Sequence, residues 1–205
     1  VVDFGQLSFT EEGVYTFTVI ENTTTDEAGW TYDNTTPKTI TVTVTDEGND
    51  GQLDAVVTGN GQTFNNSYIP NSVTATGDDL GLKVTKQVSG AAAMEEFGFS
   101  LTLTSGDADG VKVGSGESAT DLPENKTITA TTQNMTGTEG SQTVGFGDLT
   151  FTKAGDYEFT IDETTTTTAE GWTYDASTKT VTVHVTDEGF DGQLDIAVEG
   201  GIEGN

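Results

Sequence analysis

Apolar and polar positions alternate along most of this chain. Tyr15, Phe17 and Val19 fall on one face of a strand, and so do Tyr157, Phe159 and Ile161. Ile40, Val42 and Val44 alternate with Thr41, Thr43 and Thr45, and Phe97, Phe99, Leu101 and Leu103 alternate with small or hydroxyl residues. A period of two with threonine outward predicts half-buried antiparallel strands. Turn signals separate them: GDADG at 106–110, and DEGNDG and DEGFDG further along. Only the stretch Ala91–Glu96 suits a helical turn. The pattern predicts an all-β fold of antiparallel β-sandwiches.

The same pattern is written twice. GVYTFTVIE and GWTYD recur as GDYEFTIDE and GWTYD, at a spacing of 172 − 30 = 142 residues between the tryptophans. TVTVTDEGNDGQLD then matches TVHVTDEGFDGQLD. A period of that length is a whole domain, so the sequence predicts domains in tandem. Residues 1–70 read as the C-terminal part of a first module. Residues 71–80, following Pro70 and lacking alternation, read as a linker. Residues 81–205 read as a second module without its last strand, as in a window cut from a longer repetitive protein.

Composition narrows the function. The 205 residues include 34 acidic and seven basic ones, for a formal charge of −27. That excludes nucleic acid and anionic membrane surfaces as partners, since both need a basic face. It fits a solvated, self-repelling surface. With no cysteine there are neither disulfides nor thiolate metal sites. No run reaches transmembrane length. Abundant threonine suits strands and argues against a disordered linker.

Four polar residues break the apolar faces. The stripe Tyr157, Phe159, Ile161 continues to Glu163, and Tyr15, Phe17, Val19 continues to Glu21. Leu82, Val84 and Val88 share a face with Lys86, and Phe64 and Tyr68 bracket Asn66. A buried lysine, glutamate or asparagine is costly unless each satisfies another.

On these residues the chain resembles the streptococcal-type pilin domains of the FctA class. The carriers are LKVTKQVSG around Lys86, YEFTIDE ending in Glu163, the WTYD segments, and FNNSY around Asn66. The resemblance covers nearly the whole chain. It implies CnaB-like, immunoglobulin-type modules that crosslink themselves, a lysine amine joining an asparagine side chain as an isopeptide with help from a glutamate. Carried over, Lys86 is the nucleophile and Glu163 the assisting carboxylate of the second module, while Glu21 and Asn66 belong to the first. The residue types suit these roles. An apolar pocket favours a neutral, nucleophilic amine, and a protonated carboxyl can polarise the asparagine carbonyl and shuttle protons as ammonia leaves. Such a reaction turns over once and is self-modification, not enzymatic catalysis.

The chain departs from that pattern at its ends. The lysine for Glu21 would fall before Val1, and the asparagine for Lys86 just past Asn205, so neither module holds a full triad. A module without its last strand would expose a sheet edge that a neighbouring chain could fill.

Weaker signals add little. Asp46, Asp50 and Asp54, matched by Asp187, Asp191 and Asp195, suggest a Ca²⁺ loop, but Val57 stands where an EF-hand needs its twelfth-position ligand. His184 lies on an outer face among threonines, without a partner for a triad or a zinc site. No nucleophile–base constellation points to an enzyme, and no cofactor is implied. The expectation is a stalk or backbone module of an extracellular adhesin or pilus on a bacterial, Gram-positive surface, its partners being neighbouring modules or subunits of the same protein. Two alternatives remain: a binding module for a host protein or glycan, and a filament subunit that polymerises by strand exchange between chains.

Overall fold

The computed structural model describes residues 2–23, 26–90, 96–133, 135, 139–165 and 171–200. They form two compact units, Val1–Tyr68 and Ile69–Asn205. The helical turn expected at Ala91–Glu96 falls almost wholly outside the described residues.

The first unit contains β1 (Gly13–Val19), β2 (Trp30–Thr31), β3 (Lys38–Thr45), β4 (Asp54–Thr58) and β5 (Ser67–Tyr68). β1, β3 and β4 make an antiparallel sheet in the order β1-β3-β4, and β2 pairs with β5. Tyr15 faces Val42 and Phe17 faces Ile40 across the β1–β3 ladder, so the alternation read from sequence sets the register. Only Val42 and Val44 are fully buried hydrophobic residues among those described in this unit.

The second unit contains β6 (Val73–Ala75), β7 (Lys83–Ser89), β8 (Gly98–Ser105), β9 (Val111–Val113), β10 (Thr120–Asp121), β11 (Thr127–Thr131) and β12 (Glu139–Gly145). It continues with β13 (Leu149–Phe151), β14 (Gly155–Glu163), β15 (Lys179–Thr186) and β16 (Asp195–Gly200). A five-stranded sheet, β11-β8-β14-β15-β16, and a four-stranded sheet, β10-β9-β13-β6, contribute to one core; β7 pairs with β12. Their named pairings are all antiparallel. The inward residues of β8, β14 and β15 are almost wholly buried, against Leu149, Phe151 and Val111 of the other sheet. Phe151 and Tyr157 meet with ring centroids 5.0 Å apart. This is the all-β sandwich that the alternation predicts.

The expected linker at 71–80 is instead part of this unit. β6 pairs with β13, Asn71 N–H donates to Gly192 O at 2.8 Å, and Leu80 is fully buried. A strand of three residues is too short to show its alternation, and Pro70 and Gly77 mimic linker punctuation.

Two further features recur. Tyr157 Oη donates to Lys153 O at 2.8 Å, and Tyr15 Oη donates to Glu11 O at 2.9 Å, so each unit carries a tyrosine corner. In the second unit three cross-strand threonine pairs share hydroxyl hydrogen bonds: Thr74–Thr150, Thr85–Thr143 and Thr102–Thr127, at 2.7–3.0 Å.

Candidate functional site

The second unit brings Lys86 and Glu163 together. Lys86 lies mid-strand in β7, on the face shared by Val84 and Val88. Glu163 ends β14, one alternation beyond Ile161. Lys86 Nζ donates to Glu163 Oε1 and Oε2, both at 2.8 Å. The two side chains are only 11% and 6% exposed. The Phe97 ring lies under the ammonium, its centroid 4.4 Å from Nζ, and Tyr174 is at 5.8 Å. Trp172, the first aromatic of the WTYD segment, packs on Phe97 with ring centroids 6.3 Å apart. A small cavity of about 200 Å³ adjoins it, lined by Lys86, Glu163, Phe99, Ile161, Asp175 and Lys179.

The first unit brings together the complementary pair. Glu21, just past the end of β1, accepts from Asn66 Nδ2 at 2.7 Å and from Thr23 Oγ1 at 3.2 Å, both through Oε1. Its other oxygen, Oε2, is buried and has no hydrogen-bond partner among the described residues. Asn66 stands next to β5, and its Oδ1 accepts from the backbone N–H of Asp33 at 3.0 Å. The assignment of the amide is fixed by its partners, since a carboxylate only accepts and a backbone N–H only donates. The carboxyl group was expected to polarise the asparagine carbonyl; here it sits on the nitrogen side, and a backbone amide holds the oxygen. An open cavity of about 830 Å³ adjoins Glu21 and Asn66, with Ile20, Ile40 and Phe64 in its wall.

Glu21 and Glu163 are equivalent in the repeat. One carboxylate holds a lysine, the other an asparagine. Among the described residues neither unit holds all three.

Asp33 was not anticipated. Its carboxylate accepts from Lys38 Nζ at 3.0 Å and from Asn65 N–H at 3.4 Å. The Lys38 hydrogen bond, first, holds its carboxyl below the usual aspartate range, and the Asn65 N–H adds to it. Its equivalent Asp175 is also held low, chiefly by Ser177. The signal was present in the sequence as the last letter of the repeated WTYD.

The aspartates of the DEG turns serve the backbone. Asp46 Oδ1 accepts from Asp50 N–H, Asp50 Oδ1 from Gln52 N–H, and Asp191 Oδ1 from Gln193 N–H. Asp187 stands at the start of the 3₁₀ turn Glu188–Phe190. Among the described residues no three acidic or histidine side chains converge as metal ligands. His184 is not solitary, as its sequence context suggested. Nδ1 lies 2.7 Å from Asp156 Oδ1 and Nε2 lies 3.4 Å from Glu199 Oε2, on the two adjacent strands. Among the described residues no helix is long and apolar enough to cross a membrane.

A lysine–glutamate contact in one all-β unit and an asparagine–glutamate contact on the equivalent glutamate of the other point to a class: isopeptide-containing β domains of the pilin type. The profile of the FctA family, described as the Spy0128-like isopeptide containing domain, matches residues 1–69 and 82–204. The chain belongs to that family. No curated protein matches the chain.

Proposed function

We propose that this chain is a stalk segment of a bacterial surface pilus or adhesin, each module of which is tied internally by a Lys–Asn isopeptide bond. The observation that carries the reading is the pair of complementary half-sites on equivalent glutamates. Lys86 Nζ donates to Glu163 across 2.8 Å, and passing that proton to the carboxylate would leave the neutral amine that attack requires. In the first unit Glu21 Oε2 is the unused acceptor beside a carboxamide already held for reaction. Enclosure by Phe97 and Trp172 keeps the lysine oriented and largely dry, which favours bond formation by proximity.

A crosslink between an early and a late strand ties the ends of a module together. Pulling force then bypasses the hydrogen-bonded strands between them, and unfolding slows. The bond forms once, so the chemistry is self-modification and needs no cofactor. Its partners are other modules or subunits of the same protein.

A second reading is supported by the first unit's apolar face, where Phe4, Leu7, Phe17, Ile20, Ile40 and Val57 line an open cleft of about 590 Å³. In it, a strand of a neighbouring subunit packs on this face.

Intact mass distinguishes the outcomes. The chain is compared with the same chain carrying an appended copy of residues 59–72, which supplies the second unit with an asparagine. Each isopeptide expels one ammonia, about 17 Da. Loss in the extended chain, mapped to Lys86 and abolished by Lys86→Ala, supports the stalk reading. A covalent dimer of the unextended chain supports strand exchange. No loss in either, with both folded, refutes the crosslink.

A further inference from the structure

The first unit holds the Asn66 carboxamide at both ends, and only one of the two grips belongs to the glutamate. The Asp33 backbone N–H meets Oδ1 at 3.0 Å, within the range of an oxyanion donor. That amide is itself locked in place. The Asp33 carboxylate accepts from Lys38 Nζ and from Asn65 N–H, so Asp33 and the Asn65–Asn66 pair hold each other by two reciprocal bonds. Lys38 in turn lies over the Phe64 ring, 5.3 Å from its centroid. The residue types recur: Asp175 and Lys179 occupy the equivalent positions and line the cavity beside Lys86 and Glu163, but there Lys179 Nζ donates to Ser177 Oγ at 2.7 Å and approaches Asp175 only to 4.0 Å.

Resting on the crosslinking reading above, we propose that the Asp33 backbone N–H is the oxyanion donor for isopeptide formation at Asn66. The Asp33 carboxylate and Lys38 are positioning groups that fix it. A neutral lysine amine attacks Asn66 Cγ. The new C–N bond forms as the carbonyl electron pair moves onto Oδ1, where the Asp33 N–H stabilises it. The proton lost by the attacking nitrogen passes to Glu21 and then to Nδ2. When the carbonyl re-forms, the Cγ–Nδ2 bond breaks and Nδ2 departs as ammonia. Nothing is oxidised or reduced. The division of labour explains why the carboxylate sits on the nitrogen side: the oxygen side is already served, and Oε2, buried and without a partner among the described residues, is the acceptor left for the amine's proton.

Hydroxylamine tests this on the full chain, because it is a small neutral nucleophile and the cavity beside Asn66 is open. Its attack converts a carboxamide to a hydroxamate, read by peptide mapping as the gain of one oxygen. Asn65, adjacent and exposed, is the internal reference. Asn66 is expected to react faster than Asn65, and Glu21→Gln to slow it. Replacing the Asp33 N–H by an ester oxygen should slow it about 10²-fold, the usual effect of deleting one oxyanion donor. Lys38→Met should slow it several-fold and Lys38→Arg should restore it, which a purely structural lysine would not do once both variants are shown to be folded.

An ester variant that reacts at the wild-type rate, with Glu21→Gln still slow, overturns the donor assignment and leaves the crosslinking reading standing. Equal reaction of Asn66 and Asn65 in the wild type removes the activated carboxamide and both ideas with it. If the ester variant does not fold, the contrast between Lys38→Met and Lys38→Arg decides: identical rates overturn the positioning role.

Discussion

The two units carry nearly the same strand and bury it to different depths. In the second unit Tyr157, Phe159 and Ile161 are at most 2% exposed, because the opposing sheet covers them. In the first, Tyr15, Phe17 and Val19 alternate correctly but are only half-buried. Alternation therefore specifies which side of a strand turns inward, while the depth of burial depends on what lies across from it. The polar residues follow the same logic. Covered, Glu163 has both oxygens on Lys86; less covered, Glu21 keeps one buried oxygen without a partner among the described residues.

That contrast can be broken by matched substitutions. Phe159→Ala should cost about 3–5 kcal/mol, as for other buried aromatics, and Phe17→Ala markedly less. Urea unfolding with unit-resolved NMR amide signals measures both, and equal costs would mean that the first unit's face is covered in solution. Lys86→Ala comes next. It strands a carboxylate that is 6% exposed and should cost about 3 kcal/mol. The double change Lys86→Met with Glu163→Leu should cost less than the single one; a larger cost would show that the ion pair itself stabilises the fold.

Tyr157→Phe removes the corner hydrogen bond from a buried ring and should cost about 1 kcal/mol. Tyr15→Phe should cost less, and thermal unfolding of the two variants decides. The smallest effect is a pH response confined to the second unit. His184, flanked by Asp156 and Glu199, corresponds to Thr43 in the repeat. The Asp156 hydrogen bond, then that of Glu199, raises its pKa above the ordinary 6.5. A raised folded-state pKa adds stability that is complete below 6.5 and is lost as pH rises through the raised value. His184→Gln should therefore flatten the second unit's stability profile from slightly acid to mildly alkaline pH, leaving the first unit unchanged. An unaltered profile would show that the cluster makes no contribution.

Much of this was legible in the chain itself. The strands around Phe17, Val42, Phe99, Phe159 and Val183 follow from period two alone. Lys86 and Glu163 stood out because each interrupts an apolar face, and such residues must find one another. β6 was not legible, since three residues beside Pro70 carry too little pattern. The partners of His184 lie on neighbouring strands, and one sequence does not give the pairing of three strands at once. Asp33 was hidden for another reason: its contribution to Asn66 is a backbone N–H, which every residue but proline possesses.

The threonine pairs have one more consequence. In a chain of formal charge −27, ion pairs loosen in brine, because screening weakens Coulomb attraction at the surface. The ties Thr85–Thr143 and Thr102–Thr127 carry no charge and titrate nowhere in the biological range. The ladders they join should hold alike in fresh water and in sea-strength salt, so the acidic exterior is free to govern repulsion between molecules without governing cohesion within one.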